Sequence, residues 1–418
     1  MYLATSRAAD SGGPATRPSD RSTGLRWRRV SGNVVALGLV SLVTDISSEM
    51  VTAVLPLYLV LGLGLNPLQF GLLDGLYAGA TAVLRLVGGY AADRWHRLKT
   101  VAGVGYGLSA ICKLGLILAG SSVAGIGAVL AVDRAGKGIR TAPRDALISL
   151  SSRPETLGRS FGVHRTLDTA GAFLGPLVAM GVLWVSLGDY SSVFVTSFCI
   201  AGFGVLLLLV AVRDKVRKHR ATGIPLRAMF SLLGRKSFRR MCGWAALLGL
   251  VTITDSFVYL ALQRRWDISS TLFPLLPLGT TGVFLLLAVP LGRLADRVGR
   301  WRVFVGGHLA LVVCLVLVCG PVGGVWPAVG ALALHGTFYA ATDGVLPAAA
   351  GPLLPEGLRA SGLALLQTGQ ALARMASAVL FGLAWTLWDL GPSLLVTSGL
   401  LLAVTIAAAV VKPWEARG

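Results

Sequence analysis

The chain has few charged side chains: Asp, Glu, Lys and Arg make up only 14% of its 418 residues, whereas 54% are hydrophobic. A soluble globular domain carries nearly twice that proportion of charge, so the composition argues against a soluble protein. Apolar windows of about 20 residues recur along the chain, and each is long enough to cross a bilayer as a helix. The composition therefore predicts a multi-pass integral membrane protein.

Cysteine is also sparse, and the residue patterns that hold metals or nucleotides are missing from the sequence. The five cysteines lie in or beside apolar stretches, without the spacing of a metal site or of a disulfide framework. The Gly-Lys-Gly run at 136–138 lacks the spacing of a phosphate-binding loop and falls inside an apolar span. We therefore expect no enzymatic activity, no catalytic residue, no metal and no cofactor.

Acidic residues are outnumbered by basic ones, which leaves a net charge of +19 at pH 7. The basic residues concentrate in loops on one side of the predicted membrane, and the loops of the other side hold only Arg264 and Arg265. Cytoplasmic loops are enriched in Lys and Arg, so this charge indicates orientation rather than a nucleic-acid partner. We expect a protein of the cell membrane (inner or plasma) with both termini in the cytoplasm. The basic segments are 1–29, 93–99, 151–158, 213–240, 292–302 and 353–359.

The order of apolar and polar segments predicts twelve spans in two halves. The chain would comprise a disordered cytoplasmic tail at 1–29, a six-helix bundle at 30–212, a basic cytoplasmic linker at 213–240, a second six-helix bundle at 241–412 and a cytoplasmic tail at 413–418. The predicted spans are 33–62, 67–91, 100–119, 123–149, 159–186, 191–212, 241–262, 270–291, 303–320, 325–350, 360–387 and 392–411.

A short basic turn occurs twice, about half a chain apart. Each copy begins with Gly-x-x-x-Asp-Arg and continues with further basic residues. A repeat of that length among apolar helices predicts two homologous halves of one membrane protein. A similar offset relates Asp45 to Asp255. The two copies of the turn contain Gly89, Asp93, Arg94 and Arg97, and Gly292, Asp296, Arg297, Gly299 and Arg300.

The turn resembles the loop between helices 2 and 3 of the major facilitator superfamily, whose pattern is Gly-x-x-x-Asp-Arg-x-Gly-Arg. The second copy has this pattern, whereas the first has His96 where glycine is usual. The resemblance extends over 30–412 and implies an all-α integral membrane fold, with twelve helices in two pseudo-symmetric six-helix bundles. It also implies alternating access, in which rocking of the bundles opens a central site to each face in turn. The two turns would then act as a conformational gate.

Two acids in the first span are predicted to bind protons. A charge near the bilayer centre costs about 2.5–3.5 kcal/mol on insertion scales, so each one needs a partner or a wet cavity. Asp45 and Glu49 are four residues apart and therefore share one helix face. Two neighbouring carboxylates repel each other, which favours a proton on one of them. The alternative is a structural pair bound to basic residues of a neighbouring helix.

The fourth span carries a stripe of charge. Asp133, Lys137 and Arg140 recur at helical spacing, and such a stripe must line the central cavity or pair with acids of helices 1 and 5. Arg134, followed four residues later by Gly138, resembles the helix-4 motif of the family, whose arginine is associated with proton-coupled members. We expect Arg134 to bind a carboxylate of helix 1 or helix 5. The alternative is a permanent ion pair that only holds helices 4 and 5 together.

The fifth span combines small residues with a proline. Gly171 and Gly175 are four residues apart, which allows close helix contact, and Pro176 bends the helix. The Gly-x-x-x-Gly-Pro sequence resembles the helix-5 antiporter motif of the family. The alternative is the ordinary small-residue packing of membrane helices. His164 is expected to pair with Asp168, one turn away.

The predicted site residues form three groups. Proton coupling is assigned to Asp45, Glu49, Arg134 and Asp168. The substrate cavity is expected to be lined by Asp133, Lys137, Arg140, Arg165, Asp255, Asp343 and Arg374. The conformational gate comprises the two turns with Gly171, Gly175 and Pro176, whereas Asp74 is expected at the membrane interface.

These features leave three functional hypotheses. The first is a proton-coupled exporter of small organic compounds, similar to the drug:proton antiporters of the family. The second is a carrier that imports or exchanges an organic anion, which Lys137, Arg140 and Arg374 support. The third is a membrane receptor or lipid-handling protein on the same scaffold, although intramembrane charges in both halves argue against it. The expected partners are a small-molecule substrate, protons and the lipid bilayer, and the expected state is a monomer.

Overall fold

The computed structural model describes residues 30–77, 79–80, 97–153, 156–214, 226–320, 324–355 and 358–410. Within these ranges the regular secondary structure is helical. Most consecutive helices are joined by short connections, so neighbouring helices run antiparallel. The described chain is therefore a bundle of antiparallel helices.

The first half of the bundle consists of six helices. The first helix, α1 (Gly32–Leu57), continues as a π-helical turn at Tyr58–Gly62, and α2 follows at 67–77. The others are α3 (Leu98–Leu118), α4 (Val123–Leu150), α5 (Leu157–Val185) and α6 (Tyr190–Ala211). Helix α1 packs against α5 and α6, whereas α3 packs against α4 and α6.

The second half also provides six spans, but two of them are broken helices. The short α7 (Leu226–Ser231) precedes this half. The broken spans are α8 (Lys236–Val251) with α9 (Asp255–Trp266), and α12 (Val325–Thr342) with α13 (Val345–Ala350). The continuous spans are α10 (Leu275–Val298), α11 (Arg300–Cys319), α14 (Arg359–Trp388) and α15 (Leu390–Val410).

The predicted spans each coincide with a helix or with a broken pair, although the second span is described only as far as residue 80. Nine segments of the described chain are long and apolar enough to cross a membrane. Helix α4 is not one of the nine, because its charged stripe interrupts the apolar sequence. The helices are thus consistent with twelve spans.

The break between α8 and α9 is the main departure from the predicted spans, since the sequence indicates one continuous helix at 241–262. The backbone is extended at Thr252 and Thr254, and the carbonyl of Thr252 accepts a hydrogen bond from Ser377 of α14. Threonine is a weak helix former, and Asp255 restarts the helix because an acidic side chain is favourable at a helix N-terminus. Asp255 therefore lies at a helix end rather than in the middle of a helix.

Two junctions show how local sequence sets the loops. Gly299, between α10 and α11, has φ of 106°, a positive value that glycine adopts at little cost. At the start of α6 the exposed Asp189 carboxylate accepts hydrogen bonds from the backbone amides of Ser191 and Ser192. The hydroxyl of Ser192 donates to the same carboxylate, and together these bonds lower the pKa of Asp189. The amides of the first turn of α6 are thereby capped.

The helix ends form two faces of the bundle, which we name the basic end and the opposite end. The basic end holds the α4–α5, α10–α11 and α13–α14 junctions and the connection from α6 to α8. The opposite end holds the α1–α2, α3–α4, α5–α6, α9–α10, α11–α12 and α14–α15 junctions.

The two halves meet at the opposite end. A Cβ added to Gly71 of α2 would collide with the carbonyl oxygen of Ala378 in α14, so the two backbones are in direct contact. The rings of Phe70 and Phe257 pack edge-on, with centroids 4.9 Å apart. Hydrogen bonds from Leu68 to Thr386 and from Ser256 to Asp74 also join the halves at this end. We call the contact of α2 with α9 and α14 the seam.

Within the first half, α1 and α5 also approach closely. A Cβ added to Gly171 would collide with the carbonyl oxygen of Leu42, and one added to Gly175 would lie 2.7 Å from Cβ of Glu49. Small residues at these positions let the two backbones touch, which replaces hydrophobic contact as a packing force between membrane helices. The close contact holds the acids of α1 beside those of α5.

We expect Gly171→Ala to lower stability, because the added methyl group meets the backbone of α1 rather than a movable side chain. The cost of overpacking is about 1–3 kcal/mol. Gly181→Ala on the same helix is the matched control, since nothing lies within 4 Å of its added Cβ. Thermal unfolding in detergent measures both variants. Equal melting temperatures would contradict the close α1–α5 contact.

Candidate functional site

A network of buried charges surrounds Asp133 of α4. Lys113 of α3 places its ammonium nitrogen 3.1 Å from Oδ1 of Asp133, and the hydroxyl of Ser109 donates to the same oxygen at 2.6 Å. Arg134 donates its Nε proton to Oδ2 at 3.1 Å. The residues Asp133, Arg134 and Lys113 are only 7%, 5% and 4% exposed. This network carries two cations on one carboxylate and links α3 to α4.

The expectation for Arg134 was wrong, since its carboxylate partner is its own sequence neighbour. Its guanidinium bonds Asp133 and lies 4.0 Å from the ring centroid of Tyr77 in α2. The long side chain can fold back on the adjacent carboxylate, and the aromatic face covers the other side of the cation. Neither an acid of helix 1 or 5 nor a permanent tie between helices 4 and 5 is what the structure shows for this arginine.

The next charges along α4 pair with acids of α1 and α5. Arg140 lies 3.6 Å from Asp45 of α1, and its guanidinium is 4.4 Å from the ring centroid of Tyr106. Arg144 lies 3.6 Å from Asp168 of α5 and 3.0 Å from Asp145. The charged stripe of α4 therefore faces the α1–α5 contact.

The acids of α1 and α5 also meet each other. The carboxyl groups of Asp45 and Asp168 are near enough for their charges to interact, and each also lies beside an arginine of α4. Two neighbouring carboxylates repel each other when both are ionised, which favours a proton on one of them. Arg165 approaches Asp168 to 3.3 Å from the more exposed side. We call Asp45 and Asp168 the acid pair.

His164 does not fill the place expected for it beside Asp168. Its Nε2 forms a 2.9 Å hydrogen bond with the hydroxyl of Ser41 on α1. Arg144 takes the position next to Asp168 and also donates to Ser41, at 3.5 Å. A guanidinium competes better for a carboxylate than an imidazole because it is always charged. His164 therefore serves as a further link between α5 and α1.

Glu49 and Lys137 form a second pair of opposite charges, with a different character. Neither side chain has a hydrogen bond or an ion pair with another residue of the described chain, and both are half-buried. The two side chains are near enough for the charge of Glu49 to act on the ammonium group of Lys137. They are thus available to polar groups of a bound solute.

In the second half the polar residues gather around Asp255. The hydroxyl of Tyr339 donates to its carboxylate, and Nε2 of His335 lies 3.5 Å from the same oxygen. Nδ1 of His335 bonds the hydroxyl of Thr280 at 3.3 Å. The guanidinium of Arg374 lies 5.9 Å from the ring centroid of Tyr339. Asp343, at the end of α12, acts on Arg374 through its charge alone.

The residues of the two turns are only partly described. Gly89, Asp93 and Arg94 lie outside the described residues, and Arg97 directly precedes α3. In the second copy Arg300 bonds Asp296 at 2.9 Å and donates to the carbonyl of Ala348 at 2.8 Å. Gly292 and Arg297 lie near the end of α10, and Pro176 is buried within α5. The second turn is thus bonded within its own half.

The aromatic and hydroxyl groups that complete these networks were not predicted from the sequence. Tyr77 and Tyr106 cover guanidinium faces, and Tyr339 bonds Asp255. Ser109 and Lys113 are four residues apart on α3, so their shared helix face could have indicated an acid opposite them. Tyrosines in apolar spans gave no comparable signal.

The comparison with known families agrees with this geometry. Residues 37–378 match the profile of the Major Facilitator Superfamily. The chain belongs to the major facilitator superfamily. It is 29% identical over 401 residues to an uncharacterized MFS-type transporter of Methanocaldococcus jannaschii, covering 90% of this chain and 94% of that protein. It is 27% identical over 311 residues to an uncharacterized protein of Mycobacterium tuberculosis, covering 72% of each chain.

Solved structures show the same major facilitator fold. The nucleoside transporter NupG superposes with a TM-score of 0.77 at 16% identity, covering 90% of this chain and 98% of that one. A POT family transporter in complex with 5-aminolevulinic acid gives 0.75 at 13% identity, covering 92% and 96%. The predicted family and the all-α membrane fold are confirmed. The protein is a membrane transporter.

We expect Asp133→Asn to destabilise this transporter strongly, because it leaves Lys113 and Arg134 without a buried carboxylate. Breaking a buried ion pair from one side costs about 3–5 kcal/mol. Asp145→Asn on the same helix is the control, since the Asp145 side chain is 43% exposed and exposed pairs contribute about 1 kcal/mol or less. Denaturant or thermal unfolding in detergent gives the difference. A variant as stable as this control would show that the network is not structural.

Proposed function

We propose that this transporter is a proton-coupled antiporter of the cell membrane, which exports small organic compounds in exchange for protons. The acid pair is the observation that carries the proposal, since two neighbouring carboxylates beside Arg140 and Arg144 favour a proton on one of them. Arg140 and Arg144 touch the two acids and favour their ionised forms, which supports release of that proton. A site that holds a proton next to two cations suits a group that loads and unloads during a cycle.

Binding of the solute is assigned to the space between the halves. Glu49 and Lys137 supply an acid and an ammonium group that no residue of the described chain binds directly. Arg134 is also within electrostatic reach of Glu49. Loss of the charge on Glu49 would therefore change the field at Arg134 and Lys137 together. In the second half, Asp255 and Arg374 are the groups assigned to the same cavity.

The position of the seam supports alternating access and indicates which conformation of the transport cycle this structure represents. The halves are bonded at the opposite end, whereas Asp296 of the second turn is bonded within its own half. We place the basic end in the cytoplasm, since basic loops stay on that side. The structure would then be closed toward the outside.

A carrier of organic anions is the second candidate. Lys137 has no carboxylate in direct contact, and a free ammonium group in a membrane cavity suits an anionic solute. The exporter is favoured because the other cations of α4 already have acid partners. A dye that reports the pH inside proteoliposomes separates the two, since proton release on addition of a cationic or neutral compound requires the exporter.

We expect Asp45→Asn and Asp168→Asn each to abolish transport driven by a pH gradient, because an amide keeps the shape of the acid and loses the titration. Exchange of labelled for unlabelled substrate needs no net proton movement and should survive in at least one variant. Asp189→Asn is the control, since Asp189 is an exposed helix cap and asparagine also caps helices. Both variants retaining full gradient-driven transport would refute proton coupling at the acid pair.

We expect a cross-link across the seam to stop transport reversibly. The backbone amide of Leu68 donates to the hydroxyl of Thr386 at 3.0 Å, so Leu68→Cys with Thr386→Cys places one thiol on each half at the closed end. Asn33→Cys with Ser151→Cys is the control, since that 2.7 Å contact lies within the first half. Both pairs are made after the five native cysteines are replaced by serine.

Uptake of the substrate into proteoliposomes is measured before oxidation, after oxidation and after reduction. The seam pair should lose transport on oxidation and regain it on reduction, whereas the control pair should change little. Full transport through a demonstrably cross-linked seam pair would exclude opening at this end.

A further inference from the structure

Asp74 of α2 lies in the seam rather than at the membrane interface where the sequence places it. The hydroxyl of Ser256, in the first turn of α9, donates to Oδ1 of Asp74 at 2.8 Å. The second carboxyl oxygen, Oδ2, is inaccessible to solvent, and the hydroxyl of Thr254, just before α9, is close enough to act on the carboxyl. No cation of the described chain forms an ion pair with this carboxyl. Asp74 thus joins the halves through neutral hydroxyl groups alone.

The groups around Asp74 come from α9 and α14. On α9 the charge of Asp255 reaches Asp74, and Asp255 itself is bonded by Tyr339 and lies beside His335. On α14 the residues that lie against Gly71, Gly75 and Gly79 of α2 are Met375 and Ala378, which carry no charge.

Two further groups complete the surroundings. Tyr77, one turn along α2, is bonded to Thr52 of α1. Arg374 precedes Met375 on α14 and lies over the ring of Tyr339. The positive N-terminus of α9 and the negative charge of Asp255 act on Asp74 in opposite directions.

An ionised Asp74 would be expensive in this position. A carboxylate removed from water needs a cation or several hydrogen-bond donors, and the hydroxyls of Ser256 and Thr254 do not replace its hydration. The protonated acid is uncharged and therefore needs fewer hydrogen-bond partners. When the seam opens, water reaches the carboxyl, and the ionised form then has the lower free energy at neutral pH.

We propose that Asp74 is a proton-binding site that closes the seam: the opposite end shuts when Asp74 binds a proton and opens when it ionises. This site differs from the acid pair, which lies between α1 and α5 inside the first half. The proton on Asp74 is taken up and returned at the same end of the bundle. It therefore sets the balance between the two conformations without being carried across the membrane. The pH at the opposite end would thus control the rate at which the transporter cycles between its two conformations.

The inference assumes that the seam opens, but it does not depend on which solute is moved or on coupling at the acid pair. A test without substrate therefore separates its failure from that of the proposed function. Leu118→Cys and Trp326→Cys, in a cysteine-free background, place spin labels at the opposite end of each half, where both residues are well exposed. Double electron–electron resonance then gives the populations of closed and open seam at each pH.

The ratio of closed to open molecules should rise as the pH falls, by at most about tenfold per pH unit because a single proton is bound. Asp74→Asn, a neutral mimic of the acid form, should stay closed and lose this dependence. Ser256→Ala removes the 2.8 Å hydrogen bond to Asp74, so the closed fraction should fall at every pH while the pH dependence persists. Asp189→Asn, an exposed acid at the same end, should behave as the parent protein.

Three outcomes would overturn the proposal. The first is a parent protein whose populations do not change between about pH 5 and about pH 9, a range that covers ordinary and raised acid titrations. The second is an Asp74→Asn variant that keeps the full pH dependence, in particular if His335→Gln loses it. The third is closure that follows the sodium concentration at fixed pH, which would make the ligand a metal cation instead of a proton.

Discussion

The cost of placing the charges of α4 inside a membrane governs the first half of this protein. Each guanidinium or carboxylate on this helix needs a partner, because an unpaired charge at that depth is expensive. Asp133 meets Lys113 of α3, Arg140 meets Asp45 of α1, and Arg144 meets Asp168 of α5. The positions of three neighbouring helices are therefore fixed by polar bonds as well as by packing. A change in the protonation of one of these acids therefore alters the electrostatic interactions of the neighbouring charges on α4.

The second half has a smaller polar group and a more broken backbone. Asp255 stands at the start of α9, where the interruption after α8 frees backbone groups and the helix end favours an acid. Asp45, its counterpart in the repeat, lies within the continuous α1. The halves therefore share a fold but differ in how they are held together. Ion pairs connect the helices of the first half, whereas the second half has a break between α8 and α9, in the seventh span of the chain.

Periodicity predicted a large part of this structure, because the spacing of apolar residues fixes helices and the spacing of charges fixes helix faces. The spans follow from that information, and so does one of the two places predicted for the charged stripe of α4, beside acids of α1 and α5. The partner of Arg134 does not, since a long side chain can reach several carboxylates and its rotamer decides between them. The place of Asp74 depends on how the halves dock, which the sequence around it does not record. The break at Thr252 reflects a tertiary bond from Ser377 that no local pattern reveals.

The backbone contact in the seam has an electrical consequence. Where Gly71 and Gly75 of α2 lie directly against α14, and Gly382 of α14 lies against Pro67, there is no room for a file of water molecules. Protons move through membranes along such files, so this contact is an insulator. A charge that crosses this contact moves through part of the transmembrane voltage, which in full is worth about 2.3 kcal/mol per unit charge per 100 mV. A bulkier side chain at any of these glycines would separate α2 from α14, and ions would then leak continuously across the membrane.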